Sequence, residues 1–71
     1  MTDKELIWKK LKHDVGSFHD CVYEVNQVSH TDDELRDIFL SLPDDMIGTA
    51  YSWGLSDTVF RDSVYVYLRE G

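Results

Sequence analysis

Three histidines (His13, His19 and His30), the single cysteine Cys21, and two aspartate doublets (Asp32-Asp33 and Asp44-Asp45) are the side chains that could hold a metal or move a proton. A metal site on one helix needs ligands three or four residues apart, so that they share a face. No two of the histidines have that spacing, and His19 and Cys21, two apart, point to different faces. Each doublet falls where a helix is expected to begin, and there the helix dipole alone favours carboxylates. Serine, histidine and aspartate are all present, but no nucleophile elbow, Gly-rich phosphate loop or zincin motif frames them. The residues therefore predict no enzyme, no metal and no cofactor.

Charge is the stronger signal. The 71 residues carry 14 Asp and Glu against 7 Lys and Arg, a formal net charge of -7. The distribution is uneven. Lys4, Lys9, Lys10 and Lys12 outnumber Asp3 and Glu5 in residues 1–13, whereas Arg36, Arg61 and Arg69 face twelve carboxylates in residues 14–71. Such a dipole steers partners more than it shapes a fold. An apolar fraction of 42%, with two Trp, four Tyr and three Phe, argues against a disordered acidic tail. One domain, 1–71, is expected, short enough that self-association would stabilise it. With one cysteine there is no internal disulfide, and a half-buried thiol in a reducing compartment follows. Charges scattered through the first fourteen residues argue against a signal peptide, and no apolar run approaches a membrane span. A soluble cytoplasmic protein is the expectation.

The elements follow from periodicity and caps. Thr2 and Glu5 form a capping-box pattern, and the stripe Ile7, Leu11, Val15, Phe18, Val22, Val25 and Val28 keeps one face inward, predicting a helix over 3–28. Gly16 marks where it could kink, and the β-branched run Cys21 to Val28 leaves a strand open. Thr31 with Glu34 is a second capping box, and Leu35, Ile38, Phe39 and Leu42 give a helix over 32–42 that Pro43 ends. A helix over 44–53 stops at Gly54. Ser56 is then the expected N-cap of a last helix over 57–69 carrying Val59, Phe60, Val64, Tyr67 and Leu68. A terminal strand over 63–68 stays open. The fold class is all-α, a small bundle of about four helices.

Within it, residues 44–66 resemble the helix-turn-helix superfamily. Ala50 is the small residue that lets two helices approach, Gly54 the turn, Trp53 and Leu55 its apolar flanks, and Phe60 and Val64 the anchors of the second helix. The resemblance implies a helix-turn-helix-like C-terminal half. It also implies a second helix that reads the major groove through Ser56, Asp57, Thr58 and Arg61. Asp57 and Asp62 would be repelled by DNA there, and such a regulator would need Lys9, Lys10 and Lys12 on the face of Arg61.

Three functional readings follow. The first is an acidic protein-interaction module that presents carboxylates to the basic surface of a partner, in the manner of small phage inhibitors that mimic DNA. Its site would be Asp32, Asp33, Glu34, Asp37, Asp44 and Asp45, which group on one junction and its neighbouring helix. The alternative is a dimeric helix-turn-helix transcriptional regulator. A third is an assembly subunit whose long first helix pairs with copies of itself. The aromatic residues outnumber what so small a core can hide, so some, with Trp8 and the Tyr65/Tyr67 pair foremost, would anchor a partner.

Overall fold

The structure is a computed structural model and describes residues 3–70. All regular structure among them is helical: α1 (Asp3–Leu11), a 3-10 turn (Lys12–Asp14), α2 (Val15–Asn26), α3 (Asp32–Ser41), α4 (Asp44–Trp53) and α5 (Thr58–Glu70). The open strand alternatives over 21–28 and 63–68 are both resolved as helix, as far as Asn26 in the first case. The Thr2 capping box lies outside the described residues.

The long first helix is two helices, and the break falls at residues 12–14 rather than at Gly16. Packing explains it. On one unbroken helix Trp8 and Phe18 would stand about 15 Å apart along the axis. With the bend, their rings meet edge-on at 6.1 Å. Locally the turn is held by His13 Nδ1, 3.0 Å from the Lys10 carbonyl, and by the Ser17 hydroxyl, which donates to Asp14 at 3.0 Å.

α2 also stops two residues early. Gln27 takes the left-handed conformation (φ 59°), its N–H donates to the Tyr23 carbonyl at 2.7 Å, and its side-chain amide donates to the Glu24 carbonyl at 2.9 Å. The side chain thus satisfies a terminal carbonyl that a continuing helix would have used. Val28, the last member of the predicted stripe, is left exposed.

α3 begins as expected. The Thr31 hydroxyl accepts from the Glu34 N–H at 3.2 Å, and the Thr31 N–H donates to the Glu34 carboxylate at 2.9 Å. Replacing Thr31 with Ala removes the first of these bonds and is expected to cost about 1 kcal/mol, seen as a lower urea midpoint. The backbone N–H of Thr31 holds the Glu34 carboxyl below its ordinary value. A depressed folded value means this stabilisation is complete above the usual carboxylate range and is lost as pH falls through the lowered one. Glu34→Gln should therefore show a smaller loss of thermal stability than wild type on acidification from about pH 5 to 3.

α3 ends at Leu42, whose extended backbone (ψ 149°) is what a following proline requires. The Pro43 carbonyl then accepts from Met46 and Ile47, starting α4. α4 stops at Gly54, where φ is 99° and a side chain would be strained. α5 is capped by Asp57, not Ser56: the Phe60 N–H donates to its carboxylate at 3.1 Å. Ser56 stays exposed in the turn.

The core is Trp8, Phe18, Cys21, Val22, Leu35, Phe39, Leu42, Ile47, Ala50, Leu55, Phe60 and Val64, with no charged residue buried among those described. Phe18 is its hub, with ring centroids 5.9 Å from Phe39 and 6.1 Å from both Trp8 and Phe60. Trp8 is buried and so corrects the expectation that it anchors a partner. Ala50, Leu55, Phe60 and Val64 are buried as the predicted C-terminal unit requires. Trp53, expected as an apolar contact beside the turn, is 73% exposed. α1 packs on α3 and α4, while α5 packs on α2 and α4.

Candidate functional site

Carboxylates gather at the start of α3. Asp32, Asp33 and Glu34 form its first turn, and Asp37 lies one turn beyond Asp33. Leu35 and Phe39 point inward, so helical spacing puts Asp33 and Asp37 together on the opposite, solvent side. All four acids are exposed. The first-turn acids sit where the α3 dipole stabilises negative charge.

The six predicted residues do not form one cluster. α3 spans about 15 Å, so Asp44 and Asp45, beyond its far end, are separated from Asp32 and Asp33. They also differ in their partners. Asp44 pairs with Lys4 at 3.3 Å, and the same ammonium donates to the carbonyl of Leu42 at 2.9 Å and lies 3.4 Å from that of Leu40. Lys4 thus joins α1 to the end of α3, where orphan carbonyls attract a cation. Glu34 is occupied by its cap and by His30 at 3.9 Å. Asp32, Asp33, Asp37 and Asp45 have no ion-pair partner among the described residues.

The residues implied by the helix-turn-helix resemblance are placed differently. Ser56 and Thr58 are exposed, and Asp57 is engaged as the cap of α5. Arg61 is turned into the seam between α2 and α5. Its Nη2 donates to the Tyr65 hydroxyl at 3.2 Å, and its Nε is enclosed. The Tyr65 hydroxyl in turn donates to the Glu24 carboxylate on α2. That bond, and then burial, push the Tyr65 hydroxyl above its ordinary value, so it remains a donor. The lysines lie elsewhere. Lys10 sits over the Tyr51 ring, 5.2 Å from its centroid, at the seam of α1 and α4. Arg61 and Lys10 therefore line different seams, while Lys9 and Lys12 are exposed.

The tyrosine pair is also committed internally, because the Tyr67 hydroxyl donates to the Ser41 carbonyl at 3.0 Å. Trp53 and Tyr51 are the more exposed aromatics. The Arg61–Tyr65–Glu24 chain escaped the sequence reading; its i, i+4 half was visible in the spacing of Arg61 and Tyr65, but Glu24 lies 41 residues from Tyr65.

Cys21 is fully buried, and its thiol donates weakly to the Arg61 carbonyl at 3.7 Å. Burial pushes the thiol above its ordinary value, which keeps it protonated and unreactive. No group of three or more His, Cys, Asp or Glu among the described residues is placed to hold a metal ion. No described helix is long and apolar enough to cross a membrane. No family model matches the chain, and no curated protein or solved structure shows significant similarity to it. The helix-turn-helix resemblance therefore rests on the residues themselves.

Proposed function

We propose that this protein is a binding module rather than an enzyme, and that the acidic face of α3 docks on the basic surface of another protein. The observation that carries this reading is the lack of any internal cation partner for Asp32, Asp33 and Asp37 of α3 among the described residues. The chain places its cations elsewhere: Lys4 on Asp44, Arg36 on Glu5, Arg61 on Tyr65. Exposed carboxylates a turn apart on a rigid helix present negative charge at fixed spacing. They attract a lysine- or arginine-rich surface and raise the rate of encounter. A nucleic-acid-handling protein is the natural class of partner, since its basic surface is already shaped for a polyanion. The resemblance to small acidic proteins that mimic DNA, phage inhibitors among them, rests on size and charge.

The competing regulator reading has less to rest on. The arginine it would use is tied to Tyr65, Asp57 faces the same surface, and Lys10 lies along another seam. The two readings separate in one titration of labelled random-sequence duplex DNA at about 50 mM salt. The acidic module should leave the anisotropy flat up to about 100 µM protein, near the weak end of ordinary non-specific affinity. Saturable binding at micromolar protein would instead establish a DNA-binding role.

A further inference from the structure

A second face, independent of the α3 acids, lies between α1 and α4. The two helices run side by side in the same direction: Lys4 meets Asp44, Ile7 lies beside Ile47 and Gly48, and Lys10 meets Tyr51. Between them runs a shallow apolar groove lined by Leu6, Ile7 and Tyr51, with Leu6 52% and Tyr51 51% exposed. Gly48 leaves bare an adjoining hollow that shares Ile7 with the groove. A Cβ there would meet nothing within 4 Å, so no contact inside the protomer requires glycine. In a helix interior glycine costs about 1 kcal/mol relative to alanine. A bare backbone allows another helix to approach closely.

The groove has two electrical ends. Lys10 lines it at one and Asp3 at the other, where Asp44 is already paired with Lys4 and where Asp45, three residues before Gly48, stands exposed on the same side of α4. A second copy laid antiparallel across Gly48 brings each basic end onto an acidic end, and two-fold symmetry makes that match twice. A parallel copy would set like charge on like. We propose that the α1–α4 groove is the contact face of an antiparallel homodimer, with Leu6 and Tyr51 at its centre and Lys10 of each copy facing Asp45 of the other.

Two short helices 8 to 10 Å apart offer only a few hundred Å². That is less than the roughly 800 Å² per partner of a standard interface. The dimer is accordingly weak, with half-association on the order of 100 µM.

Sedimentation equilibrium of the full chain at low salt, where exposed charges are least screened, tests this. The mass should rise from one chain toward two between about 10 µM and 1 mM, bracketing that affinity. A single-chain mass throughout would overturn the proposal. Lys10→Glu and Asp45→Lys, each checked for unchanged helicity, should stay monomeric alone and associate when mixed in equal amounts, because each then supplies the charge the other lacks. Variants that self-associate like wild type, or a mixture that stays monomeric, would also overturn it. Gly48→Leu fills open space in the protomer and should abolish the dimer; retained dimerisation would exclude this close approach.

Discussion

Phe18→Ala is expected to remove about half of the free energy that holds the fold. Phe18 is completely buried on α2, and its ring touches Trp8 of α1, Phe39 of α3 and Phe60 of α5. Truncating a buried phenylalanine costs about 3 to 5 kcal/mol, because a cavity remains that the surroundings close only in part. At roughly 0.05 to 0.15 kcal/mol per residue, a domain of this length has only about 4 to 10 kcal/mol in total. The substitution therefore removes a large part of what holds the fold. Far-UV circular dichroism with a urea titration measures it, and Leu6→Ala, at an exposed position, should shift the midpoint little. A Phe18→Ala midpoint equal to wild type would mean that the aromatic hub is not where the stability lies.

Reversing Asp33, Asp37 and Asp44 to lysine is expected to weaken partner binding about a hundredfold while preserving helicity. Each exposed reversal is worth roughly 1 kcal/mol against an opposing cation, and three together approach two decades in Kd. The effects are not equal. Asp33 and Asp37 have no internal cation partner among the described residues, so their reversal acts on the partner alone. Asp44→Lys also sets two ammonium groups at the Lys4 site and loosens the junction of α1 with α4. The double reversal of Asp33 and Asp37, which spares Lys4, separates lost binding from lost stability. The loss should appear mainly in the association rate and shrink as salt rises.

Much of the fold is legible in the sequence because its signals are local. Thr31 with Glu34, Pro43 after Leu42, and Gly54 after Trp53 mark helix ends through bonds and dihedrals set within a few residues. The apolar spacing of α3 and α5 likewise finds Leu35, Phe39, Phe60 and Val64. What escaped depends on packing between distant segments. The break at residues 12–14 carries no proline and leaves the stripe in phase; it is imposed by the need to seat Trp8 beside Phe18. Gln27 adopts a conformation more typical of glycine, held by its own side chain. Ser56 and Asp57 are both good caps in adjacent positions, and only the geometry of the turn selects Asp57.

The candidate site was legible in part for the same reason. Its carboxylates were visible as helix-start acids, and Asp33 and Asp37 share a face by spacing alone. Which acids lack an internal cation was not visible, since the Lys4–Asp44 pair spans 40 residues and the Arg36–Glu5 pair spans 31. Nor was the commitment of Arg61, whose chain through Tyr65 to Glu24 depends on how α5 lies on α2.

The most direct measurement is a paired capture from extract of the cells that express the protein, using immobilised wild type and the Asp33, Asp37 and Asp44 triple reversal, with elution by duplex DNA. A basic protein retained by wild type, released by DNA and absent from the triple variant is the expected result. Equal retention of the same proteins by both, or retention that DNA leaves untouched, would contradict a carboxylate face that stands in for a polyanion.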